Sequence, residues 1–134
     1  MCIRDRSGRA AEGDQRLAWS LEEDFRKKLS DSDIAMLLAT RVRALIGLNR
    51  VGQALRIAEE AVAAASNAEA KNQAAVLRAL DAMLFAQMVA GRPAHAVATG
   101  MQLIREADAA GDGHLGSRAR INICLLYTSD AADE

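Results

Sequence analysis

Apolar residues recur every three or four positions along most of the chain, the spacing of one-faced helices, and no stretch alternates with the period of two that a strand requires. Gly13-Asp14 reads as a helix start with Asp14 as its cap, and Leu17, Leu21, Phe25 and Leu29 follow on one face. Glu22, Glu23 and Asp24 precede Arg26, Lys27 and Lys28, an order that suits the helix macrodipole. Ser30 with Asp33 forms a capping-box variant ahead of Ile34, Leu37, Leu38, Val42 and Leu45, and that helix should stop near Asn49, which tolerates left-handed backbone.

A third helix is predicted from about Val51 to Ala65, with Ala54, Ile57, Ala58, Ala61, Val62 and Ala65 inward. Its face is mostly alanine, so a neighbouring helix can come close. Asn67 is expected to open a fourth helix, carrying Val76, Leu77, Leu80, Leu84 and Met88, that reaches Ala90 and is closed by Gly91. Pro93 fits the first turn of a fifth helix, with Ala96, Val97, Leu103, Ile104 and Ala107, ending at Gly111. Residues from about Leu115 to Ile123 begin a sixth. The predicted fold class is all-α, with short loops and antiparallel helix pairs.

The same pattern contains a repeat. Gly91-Arg92-Pro93-Ala94-His95-Ala96-Val97 aligns with Asn49-Arg50-Val51-Gly52-Gln53-Ala54-Leu55, an offset of 42 in the numbering. At that offset Leu38 falls on Leu80, Val42 on Leu84, Val62 on Ile104 and Ala65 on Ala107. Each unit is a helix, a four-residue turn with a glycine, and a second helix whose first buried position is alanine. One such hairpin cannot cover its own apolar face, so units must stack.

The chain's 134 residues carry 17 Lys+Arg against 18 Asp+Glu, and near-neutrality argues against a nucleic-acid or anionic membrane partner for this segment. No apolar run is long enough to span a membrane and no signal peptide is evident, so the expected location is cytoplasmic.

The two ends stand apart from this pattern. Met1 to Arg6 can be encoded by ATG TGT ATA AGA GAC AG, and the reverse complement of that string, read from its second base, encodes Cys-Leu-Leu-Tyr-Thr, the residues at 124–128. Such an inverted pair resembles the mosaic-end adapter of transposase-cut sequencing libraries. Residues 1–6 and 124–134 are therefore expected to be adapter-derived, and 7–123 to be a fragment truncated at both ends. Within it 7–30 form the leading helix and 31–123 the repeats, with units at about 32–66 and 67–110 and a third begun near 113. Both cysteines, Cys2 and Cys124, fall in the excluded ends, so neither supports redox or thiol chemistry. Abundant alanine, and arginine in excess of lysine, suggest a GC-rich bacterial genome.

Catalytic and cofactor patterns are weak. Gly111-Asp112-Gly113-His114-Leu115-Gly116 spells G-x-G-x-x-G, but a dinucleotide site needs a preceding strand and here a helix is predicted. A loop with a C-cap glycine explains the same letters. His95 and His114 have no second ligand at metal spacing, and the adjacent acidic pairs Glu22-Glu23 and Glu59-Glu60 splay apart on their helices. Arg41 and Arg43 point to different faces. The segment is not expected to be an enzyme or to hold a cofactor or metal.

The turn-plus-alanine pattern, Asn49…Ala54…Ala61 and Gly91…Ala96…Leu103, resembles the tetratricopeptide repeat over about Ser32 to Ile123. The period is longer than the usual 34 or so residues, the signature aromatics are absent and Leu103 replaces a small residue. With its long period and the Gly111-Asp112 between units, the chain is similar to long-period repeats of bacterial signalling proteins. The resemblance implies a short α-solenoid, truncated at both ends, that binds a protein or peptide partner on the concave surface formed by its first helices. The family's groove positions fall on Met36, Ala39 and Arg43 in the first unit and on Arg78, Asp81 and Phe85 in the second, with Phe85 the leading candidate anchor. The alternative is a sensor or regulatory region of a multidomain enzyme such as a diguanylate cyclase, or of an ATP-dependent transcription regulator, whose output domain lies elsewhere.

Overall fold

In the computed structural model, residues 10–15, 27–68 and 72–133 are described, and every regular element among them is helical. After a helical stretch at 10–15, five helices follow: α1 (Asp31–Gly47), α2 (Val51–Asn67), α3 (Gln73–Val89), α4 (Pro93–Ala110) and α5 (Gly113–Asp133). Each packs on the next, and α1 packs on α3 as well.

The helix ends follow from local chemistry. Ser30 Oγ accepts from the Asp33 amide at 3.2 Å, the N-cap half of the expected capping box, while the Asp33 carboxylate accepts from Ser30 Oγ at 2.8 Å rather than from the Ser30 amide. Asn49 holds φ at 60°, the left-handed conformation, and the turn reverses the chain into α2. In that turn Leu48 N donates to Ala44 O, Asn49 N to Ile46 O and Arg50 N to Leu45 O. The turn from α3 to α4 repeats each bond one period later: Ala90 N to Ala86 O, Gly91 N to Met88 O and Arg92 N to Gln87 O, with Gly91 at φ 69°. Helices α1 and α3 are both 17 residues long and start one period apart, as do α2 and α4. The offset seen in the side-chain pattern is thus also an offset in backbone hydrogen bonding. The connecting turn, 48–50, is one residue shorter than the four expected.

Three boundaries differ from expectation. Asn67 is the last residue of α2 rather than the start of the next helix. Asn72 is the cap of α3, its side chain accepting from the Ala75 amide at 3.2 Å. Asp14 lies inside the helical stretch 10–15 instead of capping it, and its buried carboxylate accepts from Arg41 Nε at 2.7 Å. A partner on α1 outweighs a capping role for this side chain. Of the rest of the leading helix, Leu17, Leu21 and Phe25 lie outside the described residues, whereas Leu29 packs against the core.

Helix α5 starts at Gly113, two residues before the expected Leu115, and continues past Ile123 to Asp133. Its buried positions Gly116, Ala119 and Ile123 keep a helical spacing. Beyond them Leu126 is half-buried on the core, while Cys124, Leu125, Tyr127 and Thr128 are exposed.

The core has two parts. The first, between α1, α2 and one side of α3, gathers Leu38, Val42 and Leu45 with ten alanines, among them Ala54, Ala58, Ala61, Ala79 and Ala86. The second, between α3, α4 and α5, is built on Leu77, Leu80, Leu84 and Leu103 with Ala96, Ala107 and Ala119. At Gly100 of α4 an added Cβ would lie 2.9 Å from Cγ1 and Cδ1 of Ile123, so any larger residue there would make the Ile123 side chain shift.

Candidate functional site

Helices α1, α3 and α5 share one surface, and between them runs an open groove of about 560 Å³. Ala39, Thr40 and Arg43 of α1 form one wall, and Ala74, Leu77, Arg78 and Asp81 of α3 the floor. Asp112 with His114, Leu115 and Arg118 of α5 closes the other side. A smaller hollow of about 250 Å³ continues it past Arg43, Asp81 and Arg118 to Leu84, Phe85 and Asn122. Leu77 and Ala39 are core residues whose edges show between the helices and give the groove an apolar part, beside the charged Arg78 and Asp81 of the floor.

The centre is Asp81. One oxygen, Oδ2, accepts from Arg43 Nη2 at 2.8 Å and from Arg118 Nη2 at 2.7 Å. Its side chain is only 15% exposed, whereas those of Arg43 and Arg118 are 55% and 48% exposed. Each guanidinium has five N–H donors, so one bond to Asp81 leaves most of them toward the groove and solvent. The Arg43 guanidinium also lies 5.7 Å from the centre of the Phe85 ring, within cation–π range. Phe85 itself is 41% exposed. Arg78, one turn before Asp81 on α3, is exposed in the groove and pairs with no carboxylate among the described residues. Asp112 caps α5, its Oδ1 accepting from the Leu115 amide at 3.0 Å.

Of the six positions singled out from sequence, Ala39, Arg43, Arg78, Asp81 and Phe85 border the groove or its extension. Met36 borders neither: it is half-buried against the first core, on the inner side of α1. Sequence reasoning missed the whole α5 wall, and Arg118 above all. A signal for Arg118 was present, since it follows Arg78 by nearly one period, but the third unit is two residues out of step with the first two. The short turn Gly111-Asp112 causes that slip, with Gly111 at φ 75° ending α4. The glycines of 111–116 thus follow a helix and lead into α5, without the strand that a dinucleotide fingerprint requires.

No protein-family model, no curated protein and no solved structure matches the chain. The groove is therefore interpreted from its own chemistry. Among the described residues, no cluster of three metal-ligating side chains occurs and no helix is long and apolar enough to cross a membrane. His95 and His114 are both exposed, and His114 borders the groove as a polar wall residue. What the groove offers is an apolar floor, an exposed aromatic ring and guanidinium donors spread over three helices. That combination suits the recognition of an extended chain.

Proposed function

We propose that this protein is a protein-interaction scaffold: a short α-solenoid segment, tetratricopeptide-like in its stacking, that holds an extended peptide of a partner. The observation that carries the reading is the origin of the groove walls. They come from α1, α3 and α5, the alternate helices of the chain, so the groove runs across successive hairpins and not within one. Stacked hairpins produce such a surface because each first helix lies beside the next: α1 packs directly on α3, while α5 packs on α4 and meets α3 across the groove through the Arg118–Asp81 pair. The groove residues lie between 39 and 122.

Phe85 is the proposed anchor, since an exposed aromatic ring beside a hollow gives a partner side chain a surface to pack on. The test is a displayed random-peptide library selected on the full chain, followed by affinity measurement on Phe85→Ala. Selected peptides are expected to lose at least about tenfold in affinity while the helical circular dichroism stays unchanged. Peptides that bind the variant as tightly as the parent would place recognition outside this groove.

A further inference from the structure

The charge of the groove differs from that of the chain. The whole chain carries a formal net charge of −1, yet the groove gathers Arg43, Arg78 and Arg118 against Asp81 and Asp112. The two carboxylates are also partly occupied. Asp112 Oδ1 caps α5, and a single oxygen of Asp81 serves both Arg43 and Arg118. Arg78 has no carboxylate partner among the described residues. Guanidinium donors therefore exceed the acceptors facing them, next to the apolar surfaces of Leu77, Leu115 and Phe85.

Resting on the groove reading above, we infer that the occupant is an acidic peptide segment with an apolar residue among its carboxylates, and that Asp81 is an internal placeholder for one of those carboxylates. An incoming Glu or Asp side chain offers two oxygens to guanidiniums that now share one, and planar guanidinium–carboxylate pairing is strongest when both partners engage two bonds. Arg78 supplies a contact that nothing in the groove has to surrender. Nucleic acid is the less favoured polyanion, because stacking of bases needs aromatic platforms and the groove offers Phe85 alone.

The test is fluorescence anisotropy on the full chain with a fluorescein-labelled oligoglutamate peptide containing one central leucine, its glutamine counterpart, and oligothymidylate. The glutamate peptide is expected to bind at least about tenfold tighter than the glutamine one at low salt, and to lose that margin at high salt. Arg78→Ala should weaken it about threefold to fivefold, and because no ion pair of the described residues is broken, its melting curve should match the parent's. Asp81→Asn should tighten binding, since two guanidiniums are released to the peptide.

Equal affinity for the two peptides, an Arg78→Ala protein that binds unchanged, or an Asp81→Asn protein that binds no tighter would each overturn the inference. So would oligothymidylate binding as well as the glutamate peptide. Neutral library peptides that depend on Phe85 would leave the groove reading intact while this one fails.

Discussion

The two halves of the core solve the same packing problem with different side chains. Around α1, α2 and one side of α3, ten alanines line the contact, with Ile34, Leu38, Val42, Leu45 and Ile57 as the bulky members. Around α3, α4 and α5, four leucines dominate and three alanines accompany them. A leucine-filled interface stabilises through the apolar area each side chain buries, whereas an alanine-lined one depends on many short backbone-to-backbone contacts. The first tolerates loss of volume poorly; the second has no room for any gain. Helix α3 belongs to both, showing Ala75, Ala79, Ala82 and Ala86 to one core and Leu77, Leu80 and Leu84 to the other.

This contrast can be broken by mutation, and the largest effect should come from the leucine side. Leu84→Ala removes a fully buried side chain between α3, α4 and α5 and is expected to cost about 2–5 kcal/mol in chemical denaturation. Next, Ala58→Leu in the alanine core forces extra volume where the residue is 0% exposed, and should cost about 1–3 kcal/mol. If Ala58→Leu were neutral, the first core would hold unfilled space and the contrast would fail. The smallest effect sharpens the comparison by removing it. Ser30→Ala and Asn72→Ala delete equivalent caps of α1 and α3, and each should cost about 1 kcal/mol, alike in both halves because capping is local. Unequal losses would show that the two units differ at their helix starts as well as in their cores.

What the sequence revealed and what it hid divide along the same line between local and distant interactions. The stop at Asn49, the cap at Ser30 and the first-turn Pro93 depend on a few neighbouring residues, and all could be read in advance. Asn67 and Asn72 are both polar residues ahead of an apolar run, and residue type does not separate them. The repeat does, because Asn72 stands one full period after Ser30. Asp14 was misread because a carboxylate that caps and one that meets an arginine across the fold are spelled alike, and only packing brings Arg41 to it.

The groove was legible to the extent that it follows the period. Ala39, Arg43, Arg78, Asp81 and Phe85 came from the groove positions that the repeat resemblance implies, but the convergence of Arg43 and Arg118 on one oxygen spans 38 and 37 residues of chain. No local pattern encodes such a meeting. Met36, which the repeat resemblance puts on the concave surface, is half-buried against the first core.

Gly100 carries a consequence for time as well as for space. By letting Ile123 approach so closely, it seats α5 on α4, yet α4 is the one helix against which α5 packs extensively, whereas α3 is held by α1, α2 and α4. Segments with few partners detach at a lower free-energy cost than the whole protein unfolds. Brief departures of α5 therefore take away one wall of the groove and the Arg118 guanidinium together, while α1 and α3 stay in place. An occupant of the proposed groove that bridged α3 and α5 would be expected to hold α5 in place and make such departures rarer.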